Sequence, residues 1–186
     1  MEIIILISLL VINLLVALFG LLFVTWLFQS YLFKAPFIPL PREVLEKIVK
    51  ITNLSPGDTF YDLGSGDGRV VRAIAFKNPT VNCIGVERAL LPSLLTWIYG
   101  LSNKPKNVRY LREDFRSVNL SEAKVLFLYL WPSVMLELSE KLRAELPIDA
   151  QIMSCRFTLP GFKLEATECV TINETVFKLY TYRNRL

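Results

Sequence analysis

Residues 60–69, FYDLGSGDGR, form the most informative run of this chain. An apolar strand, Thr59–Leu63, leads into it and helical spacing resumes over Arg69–Lys77, so the glycines lie between a strand and a helix. Glycine lets the backbone turn sharply and approach a ligand closely. The stretch is therefore predicted to form a ligand-binding loop at the end of a strand.

Two features distinguish this loop from the G-x-G-x-x-G loop that binds dinucleotides. The third glycine, Gly68, comes one residue early and leaves Arg69 where the dinucleotide pattern needs a small residue. Asp62 lies two residues before the first glycine. A carboxylate there would repel a pyrophosphate, but it would accept a hydrogen bond from a ligand ammonium, directly or through water. The loop therefore favours a nucleoside that carries an amino acid, such as S-adenosylmethionine.

Two further acidic positions follow the next two predicted strands. Glu87 ends the strand Val81–Glu87, about 20–25 residues past the loop. An acid at this position accepts hydrogen bonds from both ribose hydroxyls of a nucleoside. Asp114 follows the third strand and can accept from an adenine amino group, while Phe115 offers a wall for the base. Each acid alone is more typical of a solvated loop. In this order, at the carboxyl ends of successive strands, they predict a nucleoside site.

Strands and helices alternate from Asp58 onward, which predicts a parallel α/β sheet covered by helices. The fourth strand is a continuous apolar run of the kind that is buried on both faces. The tail alternates with period two and predicts a closing antiparallel hairpin, which gives a seven-stranded, Rossmann-like sheet. The other predicted elements are helices Arg42–Ile51, Ala89–Gly100 and Val134–Leu146 and strands Val108–Leu111, Lys124–Leu130, Gln151–Phe157, Lys163–Thr171 and Thr175–Tyr182.

The N-terminal run from Ile3 to Phe33 carries no charge. It exceeds the ~20 residues that a helix needs to cross a bilayer, and it is too long for the apolar core of a signal peptide. No basic residue precedes the run and several follow it, so the positive-inside rule places the remainder in the cytoplasm. A single-pass membrane protein is predicted, with a transmembrane anchor at 1–34, a proline-rich extended linker at 35–41 and a cytoplasmic domain at 42–186. The basic residues after the run are Lys34, Arg42, Lys47 and Lys50.

Composition excludes several chemistries. The chain has no histidine, which excludes His-based triads, His general bases and His metal sites. The cysteines Cys83, Cys155 and Cys169 lack metal-ligand spacing and are interpreted as buried, reduced small residues. A net charge of +4 suits a domain beside anionic lipid but is too weak to indicate nucleic acid. We therefore expect neither a metal nor a nucleic acid partner.

The loop and the two acids resemble motifs of the class I S-adenosylmethionine-dependent methyltransferases. A closer resemblance covers nearly the whole chain, at the prolines of Pro36–Pro41 and at Tyr61–Val70, Leu128–Pro132 and Cys155–Pro160. These segments are similar to the membrane-anchored lysine methyltransferases whose mitochondrial members modify the ATP synthase c-subunit and the adenine nucleotide translocator. The resemblance implies a class I methyltransferase domain, S-adenosylmethionine as cofactor and a protein lysine as acceptor. The basic, Ser-rich sequence expected for mitochondrial import is lacking, so a prokaryotic relative is expected.

The resemblance and the residues together give a full set of expected contacts. Substrate contacts are expected at Pro39, Pro41 and Arg156, with pairing of Arg156 to a carboxylate as the structural alternative. Cofactor contacts are expected at Tyr61, Asp62, Gly64, Ser65, Gly66, Asp67, Gly68, Arg69, Glu87, Arg88, Asp114 and Phe115.

Tyr129 and Trp131 follow the fourth strand, beside the expected methyl group. Many enzymes that methylate amino groups of nucleic acids have Asn/Asp-Pro-Pro-Tyr here, whose polar side chain accepts from the amine. We predict that Tyr129 and Trp131 wall a lysine channel in which Trp131 offers its ring face to a methylated ammonium; ordinary packing is the alternative. A partly apolar channel would lower the pKa of the lysine, so the reaction needs no histidine.

The sequence therefore predicts a protein lysine N-methyltransferase, anchored in the membrane and acting on membrane or membrane-associated protein. The domain lacks the long insertions that commonly form a lid over a small substrate, and an anchor raises the effective concentration of neighbours in the bilayer. Two alternatives stay open at this point. One is a methyltransferase for a lipid-like small molecule, and the other is a non-catalytic S-adenosylmethionine-binding assembly factor.

Overall fold

A computed structural model describes most of the chain and divides it into two compact units. The described residues are 1–33, 38–103 and 105–185, and the units are Met1–Phe37 and Ile38–Leu186. Lys34, the last residue of the predicted anchor, and residues 35–37 of the predicted linker lie outside the described residues.

The described residues of the first unit form one helix, α1 (Glu2–Phe33). Within it, Glu2–Thr25 is long and apolar enough to cross a membrane, and the segment is not buried inside the protein. Thr25 and Asn13 return their side-chain hydrogen bonds to carbonyls one turn earlier in the same helix. This is the pattern by which polar side chains are satisfied in an apolar helix.

The described residues of the second unit form seven strands and four helices, which alternate along the chain as predicted. The helices are α2 (Arg42–Ile51), α3 (Arg69–Lys77), α4 (Leu90–Asn103) and α5 (Pro132–Glu145). The strands are β1 (Thr59–Leu63), β2 (Asn82–Val86), β3 (Val108–Leu111), β4 (Val125–Leu128), β5 (Gln151–Cys155), β6 (Leu164–Ile172) and β7 (Thr175–Arg183).

The seven strands form one sheet in the order β3-β2-β1-β4-β5-β7-β6, which confirms the predicted sheet and its C-terminal hairpin. Strands β1 to β5 are parallel, and β7 runs antiparallel to β5 and β6. The strand order reverses at β1, which lies between β2 and β4. Open α/β sheets bind ligands at the carboxyl ends of the strands beside such a switch point.

An apolar cluster on each face of the sheet holds the helices in place. Strand β4 shows the division, because its successive side chains point to opposite faces. Leu126 and Leu128 pack in the cluster that contains α5, whereas Val125 and Phe127 pack in the cluster that contains α2 and α3. All four side chains are buried, as a strand covered on both sides requires.

Three strands end earlier than predicted, β2 by one residue at Val86 and β4 and β5 by two, and one cysteine is misassigned. Strand β4 ends at Leu128 and β5 at Cys155, where the left-handed backbone of Arg156 (φ +68°) stops regular pairing. Cys83 and Cys155 are buried, and burial raises the pKa of each thiol to about 12. Cys169 is exposed because β6 is the edge strand, so its interpretation as a buried residue is wrong.

Candidate cofactor site

The glycine loop turns from β1 into α3 through left-handed backbone at three positions. Gly64, Gly66 and Gly68 have φ values of +76°, +57° and +76°, which glycine adopts at no steric cost. A Cβ on Gly64 would lie 2.7 Å from Leu130 Cδ2. The residues after β4 therefore pack directly against the loop, and only glycine leaves room for them.

Asp62 lies at the base of the loop with a carboxylate oxygen that has no protein partner. The residue is 2% exposed, and Oδ2 accepts no hydrogen bond from any described residue. Burial, together with the charges of Glu87 and Asp67, raises the pKa of the Asp62 carboxyl to about 8, although a backbone hydrogen bond from Val71 opposes the shift. A buried acceptor left without a donor is costly and marks a place for a ligand.

Glu87 closes the loop from the end of β2. Its Oε2 accepts from the Gly66 N–H at 3.0 Å and its Oε1 from the Ala89 N–H at 2.7 Å. Burial raises the pKa of the Glu87 carboxyl, and the backbone donors act in the opposite direction. Each carboxylate oxygen has a further lone pair, so the side chain is fixed in place and can still accept from a ligand.

Asp67 and Arg69, both of which are predicted to contact the cofactor, bind each other. Arg69 Nη2 lies 2.7 Å from Asp67 Oδ2, and Arg69 Nη1 donates to the Leu40 carbonyl at 2.7 Å. The pair joins the loop to the segment before α2, where buried Leu40 lies between exposed Pro39 and half-buried Pro41. The pair thus fixes the loop against this segment, and the contacts of Asp67 and Arg69 with the cofactor stay predictions.

Asp114 is held by two arginines at the ends of β2 and β3. Arg88 Nη1 lies 2.7 Å from Asp114 Oδ2, and Arg116 Nη1 lies 3.1 Å from the same atom. Partial burial raises the pKa of the Asp114 carboxyl, but the Arg116 backbone N–H and the two guanidinium groups lower it by more. Arg116 also lies over the Phe115 ring, 5.1 Å from its centroid. The predicted adenine contacts therefore lie together, at the edge of the sheet where the loop and Glu87 lie.

The two predicted catalytic residues lie at the end of β4 with different surroundings. Tyr129 packs against the cluster of α2 and α3, and its hydroxyl is buried without a hydrogen-bond partner among the described residues. Trp131 is 40% exposed and stacks on Phe157, with ring centroids 5.8 Å apart. An unpartnered hydroxyl and an aromatic pair thus lie in the segments that follow β4 and β5, and Leu130, between Tyr129 and Trp131 in the chain, packs against Gly64 of the loop.

The remaining predicted residues have mixed surroundings. Arg156 is exposed and its guanidinium lies over the Phe177 ring at 5.7 Å, an aromatic contact where a carboxylate was the structural alternative. Ser65 is buried, with Oγ unpartnered among the described residues. Tyr61 packs in the core cluster with Leu63, which gives its side chain a structural environment.

Sequence reasoning missed several residues that shape the site. Thr96 is buried in α4 and donates from Oγ1 to the Gly66 carbonyl at 3.0 Å. Phe157 supplies half of the aromatic pair, and Leu40 supplies the carbonyl that Arg69 binds. A lone threonine in the apolar run LLPSLLTWIY was a usable signal. The other two contacts join distant parts of the chain, and no local pattern indicates them.

The side chains fit S-adenosylmethionine. The unpartnered oxygens of Asp62 and Ser65 are buried acceptors at a loop whose glycines admit close approach. The fixed carboxylate of Glu87 suits ribose hydroxyls. The sheet order, the glycine loop and the acids at the strand ends define a class I methyltransferase.

The comparisons with known proteins identify the family. The model of the ANTKMT methyltransferase domain matches residues 62–166, and the chain belongs to this family. The chain is 32% identical to the adenine nucleotide translocase lysine N-methyltransferase of Mus musculus over 137 residues, 70% of this chain and 56% of that protein. It is 29% identical to a protein-lysine N-methyltransferase of Saccharolobus islandicus, over 80% of this chain and 95% of that protein. The chain thus spans about half the length of the mouse relative.

A solved structure supports the fold and the cofactor. The chain is similar to an RNA methyltransferase from Salinibacter ruber in complex with S-adenosyl-L-homocysteine, with a TM-score of 0.66 and 26% identity over 80% of this chain and 96% of that one. S-adenosyl-L-homocysteine is what S-adenosylmethionine becomes after methyl transfer. The expected cofactor and the expected enzyme class are therefore confirmed.

Proposed function

We propose that this chain is a protein lysine N-methyltransferase, held in the membrane by α1 and acting on membrane or membrane-associated protein from the cytoplasmic side. Membership of the ANTKMT family supports the lysine acceptor. The observation that carries the proposal is the segment after β4, where Tyr129, with its unpartnered hydroxyl, and Trp131, which stacks on Phe157, are the chain neighbours of Leu130, the residue that packs against the cofactor loop.

The residues around the loop divide the work of holding the cofactor. Asp62 receives the ammonium of the methionyl part, and Glu87 receives the ribose hydroxyls. Asp114 and Phe115 bound the adenine. When bound, S-adenosylmethionine supplies an electrophilic methyl group and its own leaving group, so the protein contributes position and electrostatics.

The acceptor lysine must lose its proton before it can attack. A channel lined by Tyr129, Trp131 and Phe157 is partly apolar, and desolvation lowers the pKa of a lysine that enters it. The Tyr129 hydroxyl then accepts a hydrogen bond from the amine and directs its lone pair, which removes the cost of leaving that hydroxyl unpartnered. The exposed Trp131 ring and the half-buried Phe157 ring guide the aliphatic part of the lysine and contact its ammonium as methyl groups are added.

Membrane anchoring rests on α1 and on charge. The segment Glu2–Thr25 has the length and composition of a membrane span. Basic residues follow the segment along the chain, which favours a cytoplasmic catalytic domain. A short connection to the bilayer raises the local concentration of membrane-embedded acceptors.

The test is methyl transfer from radiolabelled S-adenosylmethionine into native membranes that lack this protein, with products separated into protein and lipid. We expect label in a protein band, greatly reduced by Glu87→Ala through loss of cofactor binding. Trp131→Ala and Tyr129→Phe should lower transfer while the cofactor Kd stays within about twofold, since neither substitution removes a proposed cofactor contact. Exposed Ile148→Ala is the matched control and should transfer at the wild-type rate.

Other outcomes separate the alternatives. Label in extracted lipid would replace the protein acceptor with a lipid-like substrate. Tight cofactor binding without label in either fraction would favour a non-catalytic assembly factor. Full activity of Trp131→Ala with the fold intact would contradict the proposed channel.

A further inference from the structure

Helix α4 presents a large apolar face to solvent. Leu90, Leu94, Trp97 and Ile98 are 48%, 45%, 63% and 45% exposed. At about 100° per residue these four side chains lie within an arc of about 100° on one side of the helix. The opposite side holds the buried residues Pro92 and Thr96, so the helix is packed on one side only.

Helix α3, which packs near the other side of α4, carries one further exposed apolar residue. Arg72 lies over the Tyr99 ring, 5.3 Å from its centroid, and connects the two helices. Phe76, one helical turn after Arg72, is 54% exposed. Monomeric soluble proteins rarely expose apolar residues in a contiguous cluster of this kind, and such a cluster marks an interaction surface. The cluster of Leu90, Leu94, Trp97 and Ile98 is called the α4 face below.

We infer that the α4 face lies on the surface of the lipid bilayer, as an interfacial contact additional to α1. The inference rests on the proposed membrane anchoring. Leu90–Tyr99 is apolar but, at ten residues, too short to span a bilayer. A helix with one apolar face and an exposed Trp suits the plane of the interface, where its apolar side enters the acyl boundary.

Charge and chain length both favour lipid as the occupant. Exposed Lys77 follows Phe76 directly, and exposed Lys106 lies in the turn after α4. A hydrogen bond joins this turn to the end of α3, because Asn107 Nδ2 donates to the Asn78 carbonyl at 2.9 Å. Lysines at this border suit anionic headgroups.

The eight residues between Phe33 and Arg42 reach at most about 28 Å when fully extended, so a chain anchored by α1 keeps its catalytic unit near the bilayer.

The α4 face also begins beside the cofactor site. Helix α4 starts three residues after Glu87, and Thr96 on its buried side donates to the Gly66 carbonyl of the loop. A bilayer contact at α4 therefore holds the site at the level of the headgroups. The acceptors that fit this arrangement are lysines at the membrane interface of embedded proteins.

The experiment uses the full chain in vesicles of phosphatidylcholine with a minor fraction of phosphatidylglycerol. Trp26→Phe and Trp131→Phe leave Trp97 as the single tryptophan, and the lipid carries bromine in the upper acyl chain. An interfacial helix buries its apolar face roughly 5–10 Å below the headgroups, so we expect about a twofold loss of Trp97 fluorescence relative to unbrominated lipid. The control keeps a single tryptophan at exposed Ile148 (Ile148→Trp with all three native tryptophans replaced) and should stay unquenched.

A second variant separates contact from folding. Leu94→Glu with Ile98→Glu, in the same single-Trp chain, should abolish the quenching, while its cofactor Kd in detergent stays unchanged because both side chains point to solvent. The inference would be overturned if the chain floats with the vesicles but Trp97 stays unquenched. That result would leave the membrane anchor intact. Cross-links between copies at position 97 in that case would assign the face to a second copy of the chain. A chain that does not float with vesicles would overturn both the anchor and the inference.

Discussion

Replacing Asp62 by asparagine tests how the buried carboxylate is used. In the cofactor-free protein the carboxyl has a pKa of about 8 because it is 2% exposed and faces Glu87 and Asp67. At pH 7 about 0.9 of the molecules hold the proton. A cationic ammonium favours the ionised carboxylate, so binding of S-adenosylmethionine at pH 7 should release nearly one proton.

The sign of the pH dependence follows from this release. Cofactor affinity rises as the pH approaches 8, by up to about tenfold per unit. Above that pH it falls, because an α-amino group loses its own proton near pH 8. The Asp62→Asn variant should bind about 10- to 150-fold more weakly than wild type at pH 8, the loss expected for a charged hydrogen bond worth about 1.5–3 kcal/mol. The rising limb should vanish in the variant.

Isothermal titration calorimetry in buffers of different ionisation enthalpy counts the released protons. Asp149→Asn is the matched control, because Asp149 is exposed and its left-handed backbone (φ +63°) accommodates asparagine. It should release protons as wild type does. Wild type that releases no proton near pH 7, or an Asp62→Asn variant with the wild-type pH profile, would refute the assignment of the ammonium to Asp62.

As the pH rises towards 8, the contribution of Asp62 to the free energy of unfolding should fall while cofactor affinity rises. The folded pKa of Asp62 lies above its usual value, so the folded state binds more protons than the unfolded state between about pH 4 and 8. This group therefore stabilises the fold at low pH and lowers the free energy of unfolding as the pH rises, by at most about 1.4 kcal/mol per unit. Asp62→Asn should unfold at a higher temperature than wild type at pH 8, both without cofactor.

Three further predictions concern the loop and the channel. Gly64→Ala places a side chain at φ +76°, costs about 1–2 kcal/mol of stability and should weaken cofactor binding at least tenfold, measured by thermal unfolding and calorimetry. Arg69→Lys cannot bind both Asp67 and the Leu40 carbonyl, so it should lose about 1–2 kcal/mol in thermal unfolding, whereas an unchanged unfolding temperature would mean that the segment before α2 is held by other contacts. Trp131→Ala should lower kcat/KM for the protein acceptor at least tenfold with cofactor Kd unchanged, and an equal loss in Kd would place Trp131 in the cofactor site instead.

The fold was predictable because its signals are local. A strand, a glycine loop and a helix follow one another within residues 59–77, and the apolar run of β4 fixes a buried central strand. The positions of Asp62 and Glu87 followed from the same pattern, because parallel strands bring their carboxyl ends to one edge. Their side chains do lie together in the structure.

The features that the sequence did not predict depend on contacts between distant residues. Arg69 binds the carbonyl of Leu40, 29 residues earlier, and so holds Asp67 by a contact that no spacing rule describes. In α4, an apolar run with no charge does not tell which side packs on the protein. The structure shows that Thr96 is on the packed side and Trp97 is not. Arg156 ended β5 early because of a left-handed backbone that its residue type does not indicate.

The most direct test of the central claim is the identity of the methylated group. Membranes that lack this protein are incubated with the purified chain and S-adenosylmethionine bearing a deuterated methyl group, and the proteins are then digested and sequenced by mass spectrometry. Deuterated methyl on a lysine side chain of a membrane protein, absent when Glu87→Ala replaces wild type, is the predicted result. Deuterium confined to extracted lipid or RNA, or absent from every fraction although the chain binds the cofactor, would contradict the account.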